Sequence, residues 1–220
     1  MLSLPQQLLL LACHENKANI LNTSLSLGLA GAVLAELLIQ NKIRMNGTRL
    51  CRRDQVGVAP PAIRDAVLCD GFLLLPPGDQ ERPAKECVHH LHRHIKGLRA
   101  RLTEQLVAKG LLEATNERAL GLFPYKTFRL QNPHKVLALK DELRQVLFRP
   151  FAPSPRQLAL IGLIKPAGLK VFTREERAAA KQRVAEVLKH DVISKAVAQS
   201  VADMAGATAA IIAASVAASV

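Results

Sequence analysis

Lys96 and Arg99 stand one helical turn apart in the stretch VHHLHRHIKGLRARLTEQLVAKGLL, residues 88–112. That pairing suits an oxyanion: lysine supplies a compact point charge, and arginine a planar fork for two phosphate oxygens. Four of the chain's seven histidines lie around them, with Arg93 and Arg101 close by. From 85 to 101, five lysines and arginines face a single carboxylate, Glu86, which concentrates positive charge in a few turns.

Four chemistries are open to such a stretch. A metal site would use His90 and His94 at i, i+4 with Cys87 a turn earlier, but zinc needs three or four ligands and the chain offers no second His/Cys cluster, so no metal is expected. A nucleic-acid grip would treat 88–110 as a recognition helix and LLEATNERALGLFPYKTFRL as a wing, although stacking aromatics are scarce. A lipid-headgroup grip would rest on Lys96 and Arg99, with Arg93 and Arg101 in support. The plainest reading is a solvated helix face. The residues alone leave these open.

The elements that must position these side chains follow from periodicity. Val88, Leu91, Ile95, Leu98, Leu102 and Leu106 recur at steps of three and four, which predicts one apolar helical stripe stopping at Gly110. Lys85, His89, His92, Lys96 and Arg99 form a second stripe, roughly 100° around, at the edge of the buried face. Upstream, Asn22-Thr-Ser caps a helix through LSLGLAGAVLAELLIQ that ends near Asn41. Asn46-Gly47 then predicts a two-residue hairpin loop, with Arg44 opposite Arg49. Residues 57–83 read as a proline-rich connector holding one short helix, and residues 111–133 as a second hairpin. HKVLALKDELRQVLF and PRQLALIGLIKPAG are helical in pattern, and Thr173 with Glu176 forms a capping box. ELLIQNKI (36–43) and EQLVAKGL (104–111) hint at a repeated helix-then-hairpin unit.

Composition sets the class. Aromatics make up only 3% of 220 residues, with no Trp, so Leu, Ala, Val and Ile must build the core, an alphabet that favours helix-on-helix packing. A net charge of +12 points to a polyanionic partner, nucleic acid or an anionic membrane. Cys13, Cys51, Cys69 and Cys87 are widely spaced, which suggests free thiols in a reducing compartment. No basic residue precedes the first apolar run, so no signal peptide is expected. The closing MAGATAAIIAASVAASV is too Ala- and Ser-rich to span a bilayer and reads as a buried helix. No Gly-rich phosphate loop, GxSxG, HExxH or carboxylate cluster with an acid/base partner occurs, so neither an enzyme nor a cofactor is expected.

From about residue 3 onward the chain resembles the GPP34 (Golgi phosphoprotein 3) family. LPQQLLLLA is similar to its opening motif, LGLAGAVLAELLIQNKI to its first long helix, LHRHIKGLRARLTEQLVAKGLL to its basic central helix, and LFPYKTFRL to its hairpin. The resemblance implies a mainly helical single domain over 1–220: a central bundle ringed by amphipathic helices, with one exposed β-hairpin and a second small one. Eukaryotic members bind a phosphoinositide at Golgi membranes and grip the cytosolic tails of membrane proteins. The family's two headgroup ligands on its basic helix fall on Lys96 and Arg99. Its hairpin, tied to membrane contact and oligomerisation, falls at Leu122, Phe123, Pro124 and Tyr125. Leu21 and Ala30 stand where eukaryotic members carry a Trp and an Arg. Each charge-assisted contact is worth roughly 1.5–3 kcal/mol, so that substitution implies weaker headgroup binding. The arginine-rich N-terminal arm of those adaptors is expected to be missing, as in a prokaryotic-type member. The resulting expectation is a cytoplasmic, peripherally membrane-associated, non-enzymatic protein that binds anionic phospholipid headgroups. Membrane-protein tails and a homo-oligomer through the hairpin are further partners; a winged-helix-like nucleic-acid binder and a protein-only scaffold are the alternatives.

Overall fold

The computed structural model describes residues 1–14, 23–54, 63–119, 123–148, 153–176, 178, 179 and 182, with the backbone alone at 14, 23, 115–119 and 123–127. The chain is mainly helical with two small antiparallel hairpins, as its composition predicts.

The second helix organises the rest. α2 (Thr23–Ile39) follows α1 (Leu4–His14) and is apolar all round, so it is buried all round. Leu25, Leu29, Ala30, Val33, Leu34 and Leu37 along it are fully inaccessible. It packs against α1, α3 (Ala66–Leu73), α4 (Ala84–His94), α5 (Leu98–Ala108) and α7 (Pro155–Ile164). Glycines allow two close approaches: a Cβ at Gly71 of α3 would lie 2.6 Å from Cγ1 of Val33, and one at Gly28 would lie 2.8 Å from Cβ of Ala167, in the turn after α7. α6 (Pro133–Phe148) packs on α1 and α7. Asp65 caps α3 by accepting from the amides of Val67 and Leu68.

One charged residue enters this apolar helix. Glu36 is 2% exposed, and its carboxylate accepts two bonds from Arg156, at 2.5 and 2.7 Å. It accepts two more from the Leu4 amide at 2.8 Å and Gln40 at 2.7 Å. Burial alone would raise its pKa. The bonds from Arg156, Leu4 and Gln40, with the charge of Arg156, outweigh that and hold it below the ordinary value. The clamp ties α1, α2 and α7 together.

The structure corrects two sequence expectations. The stripe from Val88 to Leu106 is buried throughout, but it belongs to two helices. Ile95 turns extended (ψ 97°) and Gly97 is left-handed (φ 63°), so the backbone breaks at 95–97 while the apolar phase carries on. Gly97 is the residue that allows the break, because a side chain would be strained there. The first hairpin, β1 (Ile43–Asn46) and β2 (Arg49–Arg52), loops through Gly47-Thr48 and not Asn46-Gly47. Gly47 sits at the first central position with φ 59°, which fits a II′-type loop. Arg44 therefore faces Cys51, and Arg49 faces Asn46. Each arginine instead reaches its own backbone carbonyl, Gly78 at 2.7 Å and Glu81 at 2.6 Å. The connector adds a short strand, β3 (Arg82–Pro83), to the edge of β2.

The second hairpin is β4 (Leu112–Ala119) and β5 (Phe123–Leu130), registered from Leu112↔Leu130 to Ala119↔Phe123. Phe128 and Leu130 rest on the core. The Thr173 capping box is present, with the Thr173 amide donating to Glu176 at 2.8 Å and the Glu176 amide to Oγ1 of Thr173 at 3.2 Å. Asn22 and the Ala-rich C-terminal stretch lie outside the described residues. Among the described residues no helix is long and apolar enough to cross a membrane. All four cysteines are free.

Candidate functional site

The break at Ile95–Gly97 decides where the proposed phosphate ligands stand. Lys96 lies in the turn between α4 and α5 and is exposed, and Arg99 opens the first turn of α5 and is half-buried. They do not share a helix face, as i and i+3 on one unbroken helix would. They flank a corner. The main-chain carbonyl of Arg99 accepts from Thr103 at 2.8 Å, while its guanidinium lies near enough to Cys13 to lower that thiol electrostatically. Burial is the larger influence there and drives Cys13 up to about 12, so it stays a neutral thiol. Arg99 thus sits beside the last turn of α1, whose carbonyl end favours a cation.

The flanking cations differ in how far they are committed. Arg93, in the last turn of α4, is exposed, and neither it nor Lys96 is paired with a carboxylate among the described residues. Arg101 is already partnered: Nη1 lies 2.6 Å from Oδ2 of Asp70 on α3, and both side chains are partly exposed. Its charge is largely offset, so it buttresses the corner against α3.

His89 and His92 are half-buried at the edge of the apolar stripe, as the 100° offset predicts. Lost hydration lowers both, and neighbouring cations add to it: Arg93 and Lys85 for His89, protonated His89 and Arg93 for His92. His90 is lowered by burial, then by His94, whose ring stands 4.3 Å away. Cys87 makes a poor third metal ligand beside this pair: burial pushes its thiol up to about 11. Among the described residues no group of three or more His, Cys, Asp or Glu side chains could hold a metal ion.

Leu21 lies outside the described residues. Ala30 is fully buried on α2, so its position faces core and not solvent. Leu122 lies outside the described residues, while the backbones of Phe123, Pro124 and Tyr125 pair with Ala119, Arg118 and Glu117. Sequence reasoning missed the Glu36–Arg156 clamp, because its partners are 120 residues apart and no local pattern joins them.

No curated protein matches the chain. The family model for Golgi phosphoprotein 3 (GPP34) matches residues 4–204. That span runs from the start of α1 past α7 and contains the buried α2, both hairpins and the α4–α5 corner. A match over that much of the chain is decisive, and the chain belongs to the Golgi phosphoprotein 3 (GPP34) family.

Proposed function

We propose that this chain is a non-enzymatic peripheral membrane protein that docks reversibly on anionic phospholipid headgroups through the α4–α5 corner. The observation that carries the reading is the placement of Lys96 and Arg93, exposed and without a carboxylate partner among the described residues, with Arg99 half-buried between them and α1. A turn projects its cations beyond a helix face, which suits contact with a flat anionic surface, where each basic residue contributes about 1 kcal/mol. The surplus of +12 adds long-range attraction at low salt. Arg101 acts indirectly, by fixing α5 to α3 through Asp70. The β4–β5 hairpin, with the sequence Leu122, Phe123, Pro124 and Tyr125 leading into β5, is a second contact for the bilayer or for another copy of the chain. Cytosolic tails of membrane proteins are the cargo such a platform would hold on the cytoplasmic face.

Co-sedimentation tests this directly. The purified chain should pellet with vesicles containing anionic lipid and stay in solution with neutral ones, and Lys96→Glu with Arg99→Glu should abolish pelleting while helical circular dichroism is kept. Unchanged pelleting of a folded double variant rejects the corner. A salt-sensitive shift of duplex DNA combined with indifference to vesicles would instead favour the nucleic-acid reading.

A further inference from the structure

The chain holds a cavity of about 630 Å³ at the other end of α1 from Arg99, where the start of α1, the end of α2, the start of α3, the end of α5 and the start of α7 meet. Its polar walls are built from two fixed networks. One is the Glu36–Arg156 clamp. The other begins at Gln6, 1% exposed, whose Nε2 donates to Gln105 at 2.7 Å. Gln105 donates in turn to Asp65, the cap of α3, at 3.3 Å. Nζ of Lys109 donates to Oε1 of Gln6 at 2.7 Å.

The balance of donors and acceptors sets the ligand chemistry. Four cations line the cavity, Lys42, Arg64, Lys109 and Arg156, against two carboxylates, Glu36 and Asp65. Both Glu36 oxygens are already taken twice, and Oδ1 of Asp65 accepts from two amides and Gln105. Arg156 is committed to Glu36. Among the described residues Lys42 and Arg64 donate no side-chain hydrogen bond, and Lys109 donates one of its three. Oγ of Ser3, also in the wall, is shielded from solvent and has no hydrogen-bond partner among the described residues. The site therefore offers two net positive charges and a surplus of donors. Leu2, Ile63 and Leu68 supply an apolar side, and the volume lies in the range of small-molecule sites, far more than a bare oxyanion fills.

We propose that this cavity is a second anion site, which takes an organic phosphomonoester: a doubly charged, three-oxygen acceptor held by Lys42, Arg64 and Lys109, with its organic body against Leu2, Ile63 and Leu68. The site is separate from the α4–α5 corner and stands or falls without it. A soluble metabolite and a phosphomonoester lipid headgroup share this chemistry, and the test separates them.

The full chain is titrated with glycerol 3-phosphate and with inorganic phosphate by ligand-observed NMR, then sedimented with phosphatidic acid vesicles and with phosphatidylglycerol vesicles, whose phosphate is a diester. Glycerol 3-phosphate should bind at about 1 mM or tighter, and better than inorganic phosphate. Lys42→Ala with Lys109→Ala should weaken it at least about tenfold, and Arg64→Ala should weaken it as well. These side chains are exposed or half-buried, so the variants should keep the wild-type helical circular dichroism, which is checked alongside. If a membrane is the source, the wild type prefers phosphatidic acid over phosphatidylglycerol and the double variant loses that preference. If the source is soluble, the two vesicles pellet the wild type equally. Absence of binding to either form of phosphomonoester, or binding that survives the double variant, overturns the proposal.

Discussion

Replacing Arg156 with leucine removes the guanidinium from a carboxylate that has nowhere to go. Glu36 is 2% exposed on the central helix and would keep only the Leu4 amide and Gln40 of its four donors. Breaking one side of a buried ion pair costs about 3–5 kcal/mol, because the remaining charge stays desolvated. The Arg156 side chain is 22% exposed, so water can enter in its place, and the lower figure of about 3 kcal/mol applies. In a domain of this size that corresponds to a fall in Tm of about 6–12 °C. A double variant, Glu36→Gln with Arg156→Leu, removes the stranded charge while keeping an oxygen for the Leu4 amide, and should regain about 2 kcal/mol of the loss.

The pH dependence separates this mechanism from lost packing. In the wild type the Glu36 carboxyl lies below its ordinary value of 4.5, so its contribution is present above that pH and is lost as pH falls through the lower folded value. Without Arg156, desolvation dominates and the folded value rises above the unfolded one. The folded state then binds the extra proton, and the variant's deficit is largest near neutrality and shrinks as pH falls toward 4.5. Urea denaturation at several pH values reads both effects. A single variant that loses less than about 1 kcal/mol, or a double variant no more stable than the single, would refute the stranded-charge reasoning.

Two further outcomes follow from local geometry. His89, His90 and His92 are held below 6.5 in the folded chain, so the unfolded chain takes up protons first on acidification. Tm should fall between about pH 7.5 and pH 5.5, and His92→Gln should flatten that slope, whereas an unchanged slope would remove the histidines from the account. Gly28→Ala places a methyl 2.8 Å from Cβ of Ala167 between α2 and the turn after α7, and should cost about 1–3 kcal/mol in denaturant titrations; a neutral result would show that this contact can relax.

The break between α4 and α5 shows what periodicity can and cannot read. Val88, Leu91, Ile95, Leu98, Leu102 and Leu106 are all buried, so the side-chain phase is what the sequence spells out. Phase records which residues meet the core, not whether the hydrogen-bond ladder between them is continuous. Gly97 was the available clue, and it is ambiguous because a helix tolerates a lone glycine at modest cost. The hairpin at 43–52 was legible in kind but off by one residue, since Gly47 can serve either central position of a primed turn. The helix-then-hairpin echo was likewise one residue out. Asn41 (φ 58°) and Gly110 (φ 65°) are the matching left-handed residues. The matching closures are Lys42 amide to Leu37 carbonyl at 2.9 Å and Leu111 amide to Leu106 carbonyl at 3.0 Å. That aligns Glu36 with Gln105, not with Glu104. The cavity was invisible in the sequence because its walls come from the ends of five helices, whereas the Thr173 box, written within four residues, was read directly; the Asp65 and Ser154 caps are equally local and were missed.

Those caps and clamps also explain where the positive surplus ends up. Asp70 claims Arg101, Glu36 claims Arg156, Glu176 with Asp141 claims Arg144, and Asp54 lies 2.9 Å from Arg52. Apart from Asp141, which meets Arg144 within α6, each of these carboxylates joins elements distant in sequence or fixes a loop, so these acids hold the fold. A chain with 30 lysines and arginines and 18 carboxylates that commits its acids in this way leaves its excess charge where carboxylates are distant or already engaged. The α4–α5 corner and the cavity mouth both answer that description, at opposite ends of α1. Their positions follow from helix packing, because the ends of α1 are where neighbouring helices start or break and their cationic side chains are freed from the leucine core. Anion affinity at one end should therefore be separable by mutation from affinity at the other, since among the described residues no carboxylate is ion-paired to both Lys96 or Arg93 and Lys42 or Lys109.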